Sequence, residues 1–459
     1  MLFSSIPFLF YYLPIVLIAY FLMPKAGRNG LLLAASLLFY AWGEPRYVVL
    51  MVATILAFYG FGLAIQYTRL KKLWLTLSVV TGLAALAVFK YADFAVENFN
   101  ALTGLSVPAL KLALPIGISF YTFQCISYAV DVYRGDAKAQ KNVIHFGAYV
   151  SLFPQLIAGP IVRYVEVDRA LEDRKTTWED FTEGLFGFLV GLGKKILLAN
   201  QFGALTEVFR ASGEKSVLFF WLYGIAFALH IYFDFSGYSD MAVGLGRIFG
   251  FRFPRNFNYP YISRSVTEFW RRWHMTLRQR FRDYVYIPMG GNRVGKGRWV
   301  INILTVWMLT GLWHGAAWNF VAWGLLFAVL LLVEKWVPFL TRLPGFLRHI
   351  YVSLIVIVSF MIFNASSLAQ AAGDLGGLLG IGGYPLYSAE AVYYLRSYLP
   401  LLIAGCIGAT PLLRNAAIRL SKGKTAAPLL RLAVATALLL VCTAYLVDGS
   451  FNPFLYFRF

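Results

Sequence analysis

The chain has 459 residues, of which 59% are hydrophobic and only 14% charged, with 41 Lys and Arg against 22 Asp and Glu. A water-soluble fold cannot cover so much apolar surface with so few charges, which excludes a string of soluble domains and leaves a polytopic membrane protein. In that setting a net charge of +19 points to loops facing anionic headgroups, not to nucleic acid. Cys125, Cys406 and Cys442 stand far apart in apolar runs and offer neither a disulfide framework nor a metal spacing.

A membrane-crossing helix needs about 20 mainly apolar residues. Apolar runs of helical character are expected near Ile6–Met23, Leu31–Trp42, Tyr47–Ile65, Leu73–Phe89, Leu114–Val132, Val143–Ile161, Phe181–Leu198 and Val217–Phe235. Five more follow near Val300–Leu312, Trp318–Val333, Ile350–Phe363, Tyr394–Ile407 and Leu429–Val447. Several are short or interrupted by Gly and Pro, so the expectation is an all-α bundle of about 11 transmembrane helices plus re-entrant pieces. The first run has no basic flank and no small-x-small cleavage site, and is expected to stay as an anchor. No internal repeat or low-complexity linker stands out, and 1–459 reads as one membrane domain.

Lys and Arg in short loops set sidedness. Arg69-Leu70-Lys71-Lys72 and Arg414–Arg431 read as cytoplasmic, and Asn364–Glu390, without Lys or Arg, as extracytoplasmic. The segment 247–298 holds twelve basic residues against Glu268 and Asp283, a charge of +10. It is expected on the cytoplasmic side, partly re-entrant. Counting spans places the tail 448–459 outside.

Ionisable groups at membrane depth are expensive and mark candidate sites. In chain order the first are Lys194 and Lys195, which are expected to snorkel to the surface. Next comes Tyr232–Asp240, where Asp234 and Asp240 are expected to close a span beside hydroxyls such as Ser236. Asp240 reads as a helix-end charge in water, whereas the deeper Asp234 could orient a histidine or bind substrate. In Thr267–Pro288, helical spacing would put Trp270, His274, Leu277 and Phe281 on one face, with Arg271, Met275, Arg278 and Arg282 beside them. That pattern fits an interfacial anchor on anionic lipid; His274 on the buried face is what points to a site. Gly290–Gly297 imitates a phosphate loop but lacks the closing Ser/Thr and the preceding strand, so it reads as a flexible basic turn. No Gly-x-Ser-x-Gly elbow is present, which disfavours a serine hydrolase. Trp313-His314-Gly315 lies within an apolar run. On position alone His314 suits either a core histidine satisfied by a carbonyl or a neutral general base in a dry site. The chain closes on Asn452–Phe459, whose four aromatics fit an interfacial belt; Tyr456 offers a nucleophilic oxygen there.

Taken together, Trp313-His314-Gly315, Phe269-Trp270-Arg271-Arg272-Trp273-His274 and Phe281-Arg282-Asp283-Tyr284-Val285-Tyr286-Ile287-Pro288 resemble the membrane-bound O-acyltransferase (MBOAT) superfamily. The sequence is most similar to the bacterial branch that acylates cell-envelope polymers, the alginate and peptidoglycan O-acetylation membrane subunits and the teichoic acid D-alanyl transferases. Leu2-Phe3-Ser4-Ser5, Leu114–Phe120 and Leu156–Pro160 extend the likeness over nearly the whole chain.

The resemblance implies a helical bundle around a central funnel, in the bacterial inner membrane. His314 takes the place of the family's essential histidine and His274 that of the second. The donor implied is cytoplasmic acetyl-CoA, a substrate and not a bound cofactor, and no metal is called for. Arg271, Arg278 and Arg282, with Trp270, Trp313, Asp234 and Ser236, are the candidate binding residues, since guanidinium groups match phosphates. Phe454–Phe459 matches the aromatic-x-Tyr-x-x-Phe tail of this branch, whose tyrosine, here Tyr456, is proposed to carry the acyl group. The partner implied is an extracytoplasmic SGNH-hydrolase-like acetyltransferase that modifies the polysaccharide. The alternatives are acyl transfer from a carrier protein, as in D-alanylation, and, from another class, a transporter or a scaffold.

Overall fold

The computed structural model describes residues 2–337, 339–421 and 427–448. Among these residues every regular element is a helix. Among the described residues, seven helices are long and apolar enough to cross a membrane: Val48–Tyr67, Lys71–Thr103, Val217–Ile248, Trp318–Trp336, Gly345–Asn364, Ala389–Gly408 and Ala427–Asp448. The chain is a polytopic, all-helical membrane protein. Where Val143–Ile161 reads as one apolar run, the structure has Val143–Ser151, a four-residue helix Phe153–Leu156, and then non-helical chain. Pro154 and Pro160 lack the N–H that a continuous helix requires. Conversely, the run expected to end at Phe235 continues to Ile248, so Asp234 and Asp240 lie inside a 32-residue helix instead of closing it.

Two compact units divide the chain, Met1–Leu189 with Tyr238–Pro254, and Val190–Gly237 with Arg255–Phe459. In the first, Arg174 ties separate elements together. Its Nη1 donates to Asn29 Oδ1 (2.6 Å) and its Nε to Tyr20 Oη (2.9 Å) and the Phe249 carbonyl (3.0 Å). Its planar face lies 4.6 Å from the Phe251 ring. Only a guanidinium fork can serve so many acceptors and stack as well.

The second unit contains every candidate site residue that the structure describes. Its core is aromatic, built on Phe227, Tyr232, Phe269, Trp273, Trp323 and Phe360. Two helices dominate it, Lys296–His314 and Trp318–Trp336, joined by a three-residue turn. Their axes approach closely because glycines face the crossing. A Cβ on Gly324 would lie 2.2 Å from the Trp307 carbonyl oxygen, and one on Gly311 2.3 Å from that of Phe320. Both obstacles are backbone, which cannot swing aside as a side chain can. Lipid-exposed helices gain little from apolar contact with one another, so close backbone approach is what makes such a pair adhere.

This contact is testable. Gly324→Ala should lower the thermal midpoint in detergent, by about 1–3 kcal/mol of overpacking strain. Gly373, where a Cβ meets nothing within 4 Å, is the control: Gly373→Ala should be neutral or slightly stabilising. Equal midpoints for the two variants would mean that the crossing is not held by its glycines.

Candidate active site

His314 is the last residue of its helix, and the chain leaves it through Gly315 in extended conformation. That position sets the imidazole at the helix crossing, 4% exposed. Three rings surround it edge-on: Trp313 at 5.0 Å, Trp323 at 5.0 Å and Phe363 at 5.2 Å between centroids. Such a cage excludes water from around a group whose basicity depends on its surroundings.

His274 reaches the same region from another direction. The sequence pattern suggests one helix through 267–288, but the structure bends it sharply. Val266–Arg272 ends at Trp273, His274 adopts left-handed backbone (φ 41°), and Met275–Phe281 begins anew. Left-handed backbone at a non-glycine costs roughly 1–3 kcal/mol and persists only where the surroundings impose it. Here they do. Ser265 caps the first short helix through Glu268 N–H (2.9 Å). From the Trp318–Trp336 helix, the buried Glu334 carboxylate accepts from Val266 N–H, from Thr267 N–H (3.0 Å) and from the Thr267 hydroxyl (2.9 Å). On the far side of the bend, the Asn256 carbonyl accepts from Met275 N–H (2.9 Å). Trp270, His274, Leu277 and Phe281 are all buried despite the break.

Trp313 stands between the histidines, its ring 5.7 Å from His274 and 5.0 Å from His314. Trp270 packs 4.6 Å from Trp307 and 5.7 Å from Trp323, which links it to the His314 cage. Beside these rings opens a cavity of about 330 Å³, lined by Trp270, His274, Leu277, Arg278, Arg282 and Thr310 among others. Arg278 and Arg282 are also solvent-exposed, so one edge of the cavity is cationic and wet. Arg282 pairs with Asp283 (2.8 Å). Burial, then the charges of Arg271 and Arg282, hold the Arg278 guanidinium below its usual range. Three like charges so close suit an anionic ligand. Arg271 is exposed and belongs to this cluster without lining the cavity.

Asp234 is fully buried and forms an ion pair with Lys195, itself 2% exposed. The expectation that Lys195 snorkels to the surface is therefore wrong. Depth in the fold decides it: the Gly191 carbonyl and Lys195 N lie against Gly237, so Lys195 is held close to the long helix. Phe235, next to Asp234, packs edge-on against His274 at 4.7 Å. Ser236 is buried, and its hydroxyl has no hydrogen-bond partner among the described residues. The basic turn that imitates a phosphate loop is tied to its surroundings by side-chain hydrogen bonds. Tyr286 Oη bonds Asn292 Oδ1, and Asn302 Nδ2 donates to the carbonyls of Met289 (3.2 Å) and Gly291 (3.3 Å). Tyr456 lies outside the described residues.

Sequence reasoning missed Asn256, Thr276, Phe235 and Glu334. Only Glu334 left a signal, an acid at the end of an apolar run; the others are ordinary residues made important by the bend. A buried pair loses about 3–5 kcal/mol when one partner is removed, and much less when both become apolar. Lys195→Met should accordingly be strongly destabilised, and the double variant with Asp234→Leu should recover most of the loss. Thermal midpoints of the two single variants and the double variant that simply add would sink the pairing.

Comparison with known proteins follows this geometry. Residues 135–370 match the family model described as MBOAT, membrane-bound O-acyltransferase family. The chain is 38% identical to the probable alginate O-acetylase AlgI of Azotobacter vinelandii, over 100% of both chains. It is 34% identical to the peptidoglycan O-acetyltransferase of Helicobacter pylori, covering 86% of this chain and 83% of that one. The likeness to the teichoic acid D-alanyltransferase of Bacillus subtilis is 29%, over 56% of this chain and 69% of the other.

Proposed function

The chain belongs to the membrane-bound O-acyltransferase family, and from that premise we propose that it is the membrane subunit of a polysaccharide O-acetylation system. It takes acetyl from cytoplasmic acetyl-CoA and passes it across the inner membrane to a cell-envelope or secreted polymer, alginate-like in kind. In this reading 1–459 form one membrane domain of about 11 spans and re-entrant helices around a funnel. One observation carries the proposal: two buried imidazoles share Trp313 beside a cavity edged by arginines.

The chemistry follows from those groups. Arg271, Arg278 and Arg282 hold the phosphates of the donor at the wet edge, and Trp270 and His274 line the path of its thioester. Asp234, paired with Lys195, and Ser236 support the wall behind His274, and Trp313 fixes the spacing of the two histidines. His314 removes the proton from an attacking hydroxyl, that of Tyr456, as its oxygen adds to the thioester carbonyl. The carbon–sulfur bond then breaks, and the departing thiolate recovers the proton from the imidazolium. CoA leaves as the thiol, and the acetyl group remains as an ester on Tyr456. A serine of an extracytoplasmic SGNH-hydrolase-like partner takes it by ester exchange and hands it to the polysaccharide. Identity to O-acetylases over the full chain favours this reading over D-alanyl transfer from a carrier protein, where the likeness is lower and partial.

Loss of a general base costs about 10²–10⁴-fold. Purified protein given acetyl-CoA should release CoA and gain one acetyl group on Tyr456 by peptide mass spectrometry, whereas His314→Ala should do neither while remaining folded. Undiminished CoA release by His314→Ala would remove the base from the mechanism. CoA release with Tyr456 unmodified would leave the enzyme and discard the relay.

A further inference from the structure

Asn256 is 1% exposed, and its side-chain oxygen sits among three groups of the bend. It accepts from Thr276 N–H (3.2 Å) and from the Thr276 hydroxyl (2.9 Å), and it lies 3.1 Å from His274 Nδ1. The first contact settles which end of the amide is which. A backbone N–H can only donate, so the atom facing it must be the carbonyl oxygen and not the NH₂. An oxygen facing Nδ1 can only accept, and Nδ1 therefore carries the proton. Nε2 is then the bare nitrogen, buried and without a hydrogen-bond partner among the described residues.

We propose that Asn256 is the positioning residue of this site, fixing His274 as the Nδ1–H tautomer and so presenting Nε2 as a hydrogen-bond acceptor to bound substrate. The proposal rests on the placement of His274 in the site described above, and it sharpens that role. A neutral imidazole whose free nitrogen only accepts cannot polarise a thioester carbonyl. It can orient an N–H or O–H of the substrate, such as an amide of the pantetheine arm or the attacking hydroxyl. Burial disfavours the imidazolium, which keeps the acceptor available. Thr276 completes the device, because its two donors hold the amide in the one orientation that excludes the other tautomer.

The test uses the full chain in detergent, with ¹⁵N-labelled histidine. The protein has five histidines, and comparison with His274→Gln assigns the signals of His274. At neutral pH its Nδ1 should be protonated and its Nε2 bare, a reading that requires no altered protein to fold. Asn256→Asp, which offers an oxygen to the same three donors, should keep that tautomer and most CoA release from acetyl-CoA. Asn256→Leu should lose the tautomer preference and about 10²-fold in kcat, the cost of a misplaced reacting group. A protonated Nε2 in the unaltered protein would overturn the proposal, as would a folded Asn256→Leu with undiminished kcat. Full activity in His274→Gln is a different failure: it would remove His274 from the proposed function and leave the tautomer assignment to stand or fall on the spectrum.

Discussion

Where water is excluded, a polar atom has only the partners that its own chain brings to it, and an unmatched group costs several kcal/mol. The second unit is organised around that constraint. Lys195 meets Asp234, Glu334 takes up the first amides of a short helix, and Asn256 holds the apex and far side of a bend. Each match fixes an element, and together they leave two imidazoles flanking one indole. The strained backbone at His274 is tolerable because the groups around it have nowhere else to bond.

Charge follows the same logic with the opposite outcome. Arg271 and Arg278 make no ion pair among the described residues, and both are exposed. Cations left unneutralised beside a cavity keep their attraction for an anion arriving from water, whereas Lys195, deeper in the fold, is already matched by Asp234. The site thus has a wet, charged edge and a dry aromatic floor, the arrangement that a long ligand with a phosphorylated end and an uncharged reactive end requires.

Much of this was legible in the residues. His314 and His274 stood out because imidazoles are rare in apolar surroundings, and the membrane class followed from composition alone. The break at Trp273–His274 did not, since the hydrophobic spacing runs through it without interruption; hydrogen bonds to Asn256, 18 residues before His274, impose it. Lys195 was misjudged because snorkelling depends on depth, which a linear run of apolar residues does not report. Asp234 was placed at a helix end because aromatic and hydroxyl residues around it imitate an interface, yet the helix runs on to Ile248. The acyl-carrying role of Tyr456 falls outside the described residues and rests on the resemblance alone.

The two histidines are supported from different stretches of chain. His274 is set by Asn256, 18 residues before it, and by Phe235 and Glu334 from two long helices. His314 depends on partners that come later, Trp323 and Phe363. The Trp318–Trp336 helix nevertheless serves both, holding the His274 bend through Glu334 and caging His314 through Trp323, and Trp313 touches both rings. A shift of that helix or of Trp313 is therefore felt at both imidazoles at once, whereas a change at Asn256 or Phe363 bears first on the one it touches.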